Sequence, residues 1–436
     1  MTVHGSDAKQ ARVVAAGILM GWHSNQLNVV LHARHNQTFS LYEGANHGVR
    51  RRHQLILLAL FRASRSIAAG IITLSFPYLV LTQYHRSALS LGLLYTAASV
   101  SAALMGLAVG FLADIWGRKK SLSMVGVTLP VSSAIVYLGH SLPWLFLAAA
   151  LGGYSATGSL MGGGVGGAVQ PIQSAIIASL TSSRERTFYF SVFTFLSGAL
   201  AAVGSLAARF LSARNAFAVA TLVAAAGLVF LLPLRTPEQP GRRIETETLR
   251  VIGQFSVTGM LNGFAQGLIT PFLIPFFVLV YKLPKDRMAT YGFIAGTIGS
   301  VALLAAPLLD RVFGFVRSIM LTRGLGACLL ALMPLTHHLA AALAIYVLTP
   351  ALRVAALPVQ QRALTDMVSS GETGRALGVN QVTRLGASSG AVALTGFLFS
   401  EADIALPFFI YAAIMAANLM LYLKFFGHRA QHHEEE

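Results

Sequence analysis

Charge is what this chain of 436 residues has least of: Asp, Glu, Lys and Arg make up 11%, against roughly 25% in an ordinary soluble domain. A soluble globular protein is thereby excluded. Acids are the scarcer sign, 16 against 32 Lys and Arg, which leaves a formal net charge of +16. Nucleic acid is not the expected partner, because the basic residues punctuate apolar stretches instead of gathering on one soluble face. The one cysteine, Cys328, sits in an apolar run and permits no intrachain disulfide. No nucleophile, base and orienting acid recur at one depth, so an enzyme is not expected and no cofactor or metal is implied. The terminal His432-His433-Glu434-Glu435-Glu436 reads as a solvated tail.

Apolar residues are abundant, 55% of the chain, and the mean hydropathy is +0.65. At about 20 apolar residues for each crossing of a hydrocarbon core about 30 Å thick, the length supplies a dozen spans with short connectors. Residues 1–53 are polar and are read as a cytoplasmic tail, or as the product of starting at Met1 instead of Met20; no secretory signal is visible there. Apolar segments follow over roughly 54–82, 89–113, 121–139, 143–180, 187–208 and 215–234. After a polar bridge at 235–250 come 251–281, 289–309, 316–336, 339–368, 374–399 and 405–426, then a short tail at 427–436. The fourth, seventh and tenth are over-long and carry internal proline or glycine, as kinked helices do.

Connector charge sets the orientation. With Arg50, Arg51 and Arg52 placed inside, the inward connectors collect 18 Lys and Arg, including Arg118, Lys119 and Lys120. The outward connectors hold only Arg86, Arg209, Arg214, Lys282, Lys285 and Arg287. The imbalance predicts an inner-membrane protein with both termini in the cytoplasm.

The chain also repeats itself. Gly70-Ile71-Ile72-Thr73 is echoed by Gly267-Leu268-Ile269-Thr270 at an offset of 197, and Asp114 by Asp310 at 196. Pro171-Ile172-Gln173 is echoed by Pro358-Val359-Gln360, and Ser182-Ser183 by Ser369-Ser370, both at 187. Echoes in one order at near-constant spacing predict two six-helix halves facing the same way, joined by residues 235–250.

Between the second and third segments the chain reads Gly110-Phe111-Leu112-Ala113-Asp114-Ile115-Trp116-Gly117-Arg118-Lys119-Lys120. This resembles the signature loop of the major facilitator superfamily: a glycine, an aspartate four residues later, then a glycine and basic residues. Ile115 departs from the pattern, which usually has a basic residue there, and the second copy, Asp310-Arg311-Val312-Phe313-Gly314 on to Arg317, is degenerate and one residue longer. The resemblance implies an all-α membrane protein of twelve transmembrane helices in two pseudo-symmetric six-helix bundles, a secondary transporter working by alternating access. A glycine at 110 permits close helix approach, and a carboxylate at 114 can pair with arginines or a helix N-terminus in one conformer and release them in another. Gly110, Asp114, Gly117 and Arg118, with Asp310 and Asp366 at the cytoplasmic ends of their spans, are the expected conformational gate. The basic residues of this loop also serve simply to hold it inside.

Cargo selection is expected deeper. Once connector and tail residues are set aside, with Arg323 close enough to the inner surface to snorkel, the embedded cations are Arg62, Arg65, Arg353 and Arg384. Arg65 and Arg384 each lie about 15 Å along their helices, and Arg353 is central in the tenth segment. Arg62 is one turn shallower. An arginine at mid-membrane costs several kcal/mol unless it faces water, a partner or a ligand, and no acid lies at that depth. Guanidinium groups match carboxylate and phosphate by bidentate hydrogen bonds, so a small organic or inorganic anion is the expected cargo, with Arg65 and Arg353 the principal contacts. In the superfamily fold, spans one, four, seven and ten line the central cavity and eleven flanks it, which agrees with these positions. The competing reading makes the arginines structural, Arg62 snorkelling and Arg384 paired with Asp366 or helix carbonyls.

Neutral polar residues complete the expected site: Asn262, which offset 197 maps onto Arg65, Gln266 one turn on, and Gln173 and Gln360 after the mirrored prolines. Asn380 and Gln381 lie one turn below Arg384. Each could instead bond only to a neighbouring helix. The glycines from Gly162 to Gly167 nest two GxxxG spacings with no following Lys and Ser or Thr, which points to close packing and a hinge, not a phosphate loop. The arginine that drug-proton antiporters of the superfamily carry in span four is missing, and no embedded Asp, Glu or His offers a proton path. Efflux of lipophilic compounds, and a membrane sensor or assembly partner that translocates nothing, are the alternatives. A monomer in the lipid bilayer is expected.

Overall fold

The structure, a computed structural model, describes residues 51–154, 169–236, 246–355, 357, 360 and 373–432. Among them every regular element is helical. The first is α1 (Arg51–Gln83). It is followed by α2 (Ala88–Trp116), α3 (Arg118–Leu138), α4 (Leu142–Gly152), α5 (Val169–Leu180), α6 (Ser183–Ala207) and α7 (Asn215–Leu228). Then come α8 (Thr246–Ile269), α9 (Leu273–Tyr281), α10 (Lys285–Ala302), α11 (Ala306–Leu332), α12 (Leu339–Ala355), α13 (Thr373–Ser400) and α14 (Leu406–His432). Nine of the described helices are long and apolar enough to cross a membrane. Shorter apolar helices, Leu142–Gly152, Asn215–Leu231 and Leu339–Ala355, stand in the fourth, sixth and tenth predicted segments. Leu57–Glu436 form one compact unit, and the contacts described below lie within it.

Local chemistry explains several boundaries. Ser87 caps α2, its hydroxyl accepting from the Ser90 N–H at 3.2 Å. Gly153 ends α4 in the left-handed conformation, φ 58°. Pro271 cannot donate a helical N–H, and the seventh span is interrupted there by a 3-10 turn, Thr270–Phe272, between α8 and α9.

The two halves repeat each other in packing as well as in sequence. Gly70 of α1 lies so close to α6 that a Cβ would strike the Ala201 carbonyl oxygen. Gly267 of α8, offset by 197, lies against the Ser388 carbonyl oxygen of α13, offset by 187 from Ala201. Only a residue without a side chain permits either crossing. The degenerate second loop keeps one feature of the first. Gly117 has φ 85° and ψ 152°, and Gly314 has φ 68° and ψ −179°, a region of backbone space that is essentially glycine's alone.

Across the halves, α2 packs along α13 and α6 along α10. The backbones meet closely at the end opposite the start of α1. There a Cβ on Gly92 would stand 2.6 Å from the Gly396 Cα, and the Tyr95 and Phe272 rings meet at 6.3 Å. Tyr78 Oη donates to the Leu283 carbonyl at 2.8 Å, and Lys285 Nζ donates to the carbonyls of Ala208 and, at 2.7 Å, Leu211. Nearer the other end, a Cβ on Gly106 would stand 3.6 Å from Val382 Cγ2, an ordinary contact distance. The main apolar cluster, with Phe76, Tyr95, Phe217, Phe272, Phe276 and Phe408, draws on both halves. Leu104, Leu222 and Met420 are exposed on the outer surface, as lipid-facing residues are.

Candidate functional site

Each half buries arginines, but in different surroundings. In the N-terminal half Arg62 is 5% exposed and does not snorkel. Its Nε donates to Ser197 Oγ on α6, its Nη1 to Gln173 Oε1 on α5 at 3.1 Å, and its guanidinium lies 5.8 Å from the Phe193 ring centroid. Arg65, one turn on, donates from Nη1 to the Gly126 carbonyl of α3 at 3.1 Å and lies over the Phe61 ring. Both guanidiniums are thus tied to neighbouring helices of their own half.

The C-terminal half echoes the first arrangement. Arg323 on α11, expected to reach the surface, is 2% exposed; its Nη2 donates to Gln360 Oε1 and its Nη1 to Tyr422 Oη at 3.5 Å. The two mirrored glutamines, Gln173 and Gln360, therefore each accept from a buried arginine brought by another helix. Neither arginine could be paired with its glutamine from spacing along the chain.

Arg353 differs. It is 5% exposed on α12, its aliphatic stem beside Gly326 of α11, and its Nη2 donates to Thr270 Oγ1. Thr270 passes the bond on to Gln266 Oε1 at 3.1 Å. Among the described residues, the Arg353 Nε and Nη1 groups have no hydrogen-bond partner. An unmatched buried donor is uncommon in a folded protein, and unmatched charged donors more so. Tyr411 of α14 is fully buried, interacts electrostatically with Arg353 and Arg323, and has a hydroxyl with no partner among the described residues. Arg384 of α13 lies against Gly263 of α8, within the electrostatic reach of Arg323 and Arg353. Asn262, next to that glycine in the chain, is 3% exposed, and its Oδ1 has no partner among the described residues.

Of the expected cargo contacts, Arg353 and Gln266 are thus joined through Thr270, Arg384 packs against Gly263, the residue after Asn262, and Gln360 belongs with Arg323. Arg65 and Gln173 lie in separate contacts of the other half. Asn380 Nδ2 donates to the Phe255 carbonyl at 2.7 Å. Thr270 and Tyr411 were not singled out for chemistry. Thr270 had a signal, since it falls one turn after Gln266 on the same helix face; Tyr411 had none.

The expected gate is only partly described. Gly117 provides the turn between α2 and α3, and Arg118 Nη1 donates to the Ala175 carbonyl of α5 at 3.3 Å. Gly110 lies in α2, but its surroundings and the side chains of Asp114 and Asp310, together with all of Asp366, fall outside the described residues, as do Gly162 to Gly167.

The sequence profile of the Major Facilitator Superfamily matches residues 58–383, and the chain belongs to that family. It is a membrane transporter of small solutes, not an enzyme. Solved structures share the fold at low sequence identity. The nucleoside transporter NupG has a TM-score of 0.61 and 13% identity, with 86% of this chain and 99% of that one covered. A D-xylose-proton symporter has a TM-score of 0.67 and 17% identity, covering 86% and 97%. The human organic anion transporter MFSD10 (TETRAN) has a TM-score of 0.64 and 14% identity, covering 85% and 99%. No curated protein sequence matches the chain.

Proposed function

We propose that this transporter carries a small anion by alternating access, with Arg353 as its principal contact. The observation that carries this reading is the pair of buried groups on Arg353, Nε and Nη1, that have no partner among the described residues, beside a third nitrogen already fixed by Thr270. A guanidinium held on one side with its other donors unused is preorganised for an oxyanion or carboxylate. Electrostatic proximity of Arg384 and Arg323 raises the local positive potential, which favours an anion over a neutral solute. Arg65, expected from the sequence to share that role, donates to the Gly126 carbonyl, which favours a structural role for it.

The same proposal divides the chain into halves at 54–234 and 251–426, with a linker at 235–250, cytoplasmic tails at 1–53 and 427–436, and an inner-membrane location. Facilitated diffusion or exchange is the mode it implies, since no embedded proton carrier stands out.

Purified protein in proteoliposomes tests the reading against a panel of carboxylates and inorganic oxyanions. Arg353→Gln is expected to abolish uptake of whichever anion the native chain carries, with folding retained. Undiminished anion uptake by that variant would refute it.

A further inference from the structure

The two seams between the halves occupy equivalent places in the repeat and are built differently. An offset of 197 carries Ala88 and Gly92 of α2 to Lys285 and Ala289 of α10, and an offset of 187 carries Ala208 and Arg209, just past α6, to Thr395 and Gly396 of α13. At the α2 and α13 seam the facing residues are Gly92 and Gly396, and backbone meets backbone. Thr96 Oγ1 of α2 reaches the Ser389 carbonyl of α13 at 3.3 Å, but it also donates within its own helix, to the Gly92 carbonyl at 2.8 Å.

At the α6 and α10 seam a cation takes the place of close backbone contact. α6 runs into a 3-10 turn, Ala208–Phe210, where the helix ends and its last carbonyls have no further turn to bond them. The Ala208 carbonyl accepts the Leu211 N–H at 3.3 Å, and the carbonyls of Ala208 and Leu211 both accept from Lys285 Nζ. Arg209 Nη1 donates to Thr290 Oγ1 of α10 at 3.3 Å, and Tyr78 Oη of α1 to the Leu283 carbonyl. All of these bonds join the N-terminal half to one short stretch of the other, residues 283–290.

Lys285 is out of place in its own helix. It is the first residue of α10, whose N-cap, Pro284, makes no side-chain capping bond. A cation at a helix N-terminus faces the positive end of the helix dipole, whereas one at a C-terminus faces the negative end. Asp286, the next residue, meets the preference of α10. Lys285 meets that of α6, in the opposite half. Its charge-assisted bonds and its favourable dipole contact therefore exist only while the halves touch here, and both are lost when they part.

We propose that Lys285 is the catch that holds this end of the transporter shut, with Tyr78 and Arg209 as lesser fasteners. The catch biases the chain against opening at this end whatever the cargo, so it stands apart from the anion reading.

Nitroxide labels on either side of the seam test it. Asn215→Cys and Arg287→Cys place them at exposed positions of the two halves once Cys328→Ala has removed the native thiol. Pulsed dipolar spectroscopy on the purified full chain then gives the ratio of open to closed distances. Lys285→Met keeps the length of the side chain while removing its charge and donors, and is expected to raise that ratio at least ~10-fold. Lys285→Arg, which keeps both, should stay within about threefold of the native ratio. Lys282→Met removes an exposed cation of the same connector and should leave the ratio unchanged. Should Lys285→Met fail to fold, Lys285→Gln, with a neutral amide in place of the ammonium, is expected to raise the ratio at least about threefold. No rise in whichever of these two variants folds would overturn the assignment of Lys285. An equal rise in Lys285→Arg or in Lys282→Met would overturn it as well.

Discussion

Gly92 of α2 and Gly396 of α13 meet backbone to backbone across the two halves, so that a Cβ on Gly396 would stand 2.7 Å from the Gly92 Cα. The contact closes the end of the molecule opposite the start of α1. In a transporter of this family it must part when that end opens.

Valine at 396 is therefore expected to drive the halves apart at this end, since overpacking of a tight contact costs roughly 1–3 kcal/mol. A cysteine placed at Tyr95, which is 2% exposed, reports the change when Cys328, itself exposed, is first replaced by alanine. Thiol labelling at 95 should rise severalfold in Gly396→Val. Equal labelling with and without the valine would mean that the crossing does not control this end.

The buried arginines should separate by what they touch. Removing the Gln173 side chain with Gln173→Ala takes an acceptor from a buried cation, Arg62, which is expected to cost about 1–3 kcal/mol and to lower the melting temperature. Arg353→Gln, in contrast, removes a cation with unmatched donors and should leave the melting temperature unchanged or higher while uptake is lost. Paired measurements of thermal stability and flux check both. A loss of stability in Arg353→Gln as large as in Gln173→Ala would place Arg353 among the structural arginines.

Gly117 and Gly314 offer a test of the repeat. Both sit in a region of φ and ψ that side chains exclude, and around Gly314 there is open space, with no heavy atom within 4 Å of a Cβ. Alanine at either position should cost roughly 1–3 kcal/mol through the backbone alone. Asparagine, which tolerates the left-handed helical region but not this one, should fail to restore it. Gly314→Ala melting as the native chain does would show that the second loop has lost the constraint.

The fold was legible because its signals are carried by many residues in series. Segment hydropathy and the echoes at 197 and 187 survive wherever any one side chain points, and the Gly70 and Gly267 crossings have the same offsets. The site was legible only in part. Depth can be counted along a helix, and Arg62, Arg65, Arg353 and Arg384 are all buried. Arg323 was placed at the surface because residue counting cannot register a glutamine and a tyrosine from other helices close enough to bond it.

Composition and order along the chain thus determined that this protein lies in a membrane, that it is helical, that it is built twice over, and which cations lie deep. The tertiary structure decided which of those cations are already occupied: Arg62 by Ser197 and Gln173, Arg65 by a carbonyl of α3, and Arg353 on one nitrogen only. The division has a physical cause. Transfer from water to lipid is nearly additive over residues and can be read one position at a time. Hydrogen bonding inside the bundle depends on ångström-scale meetings of helices far apart in the chain.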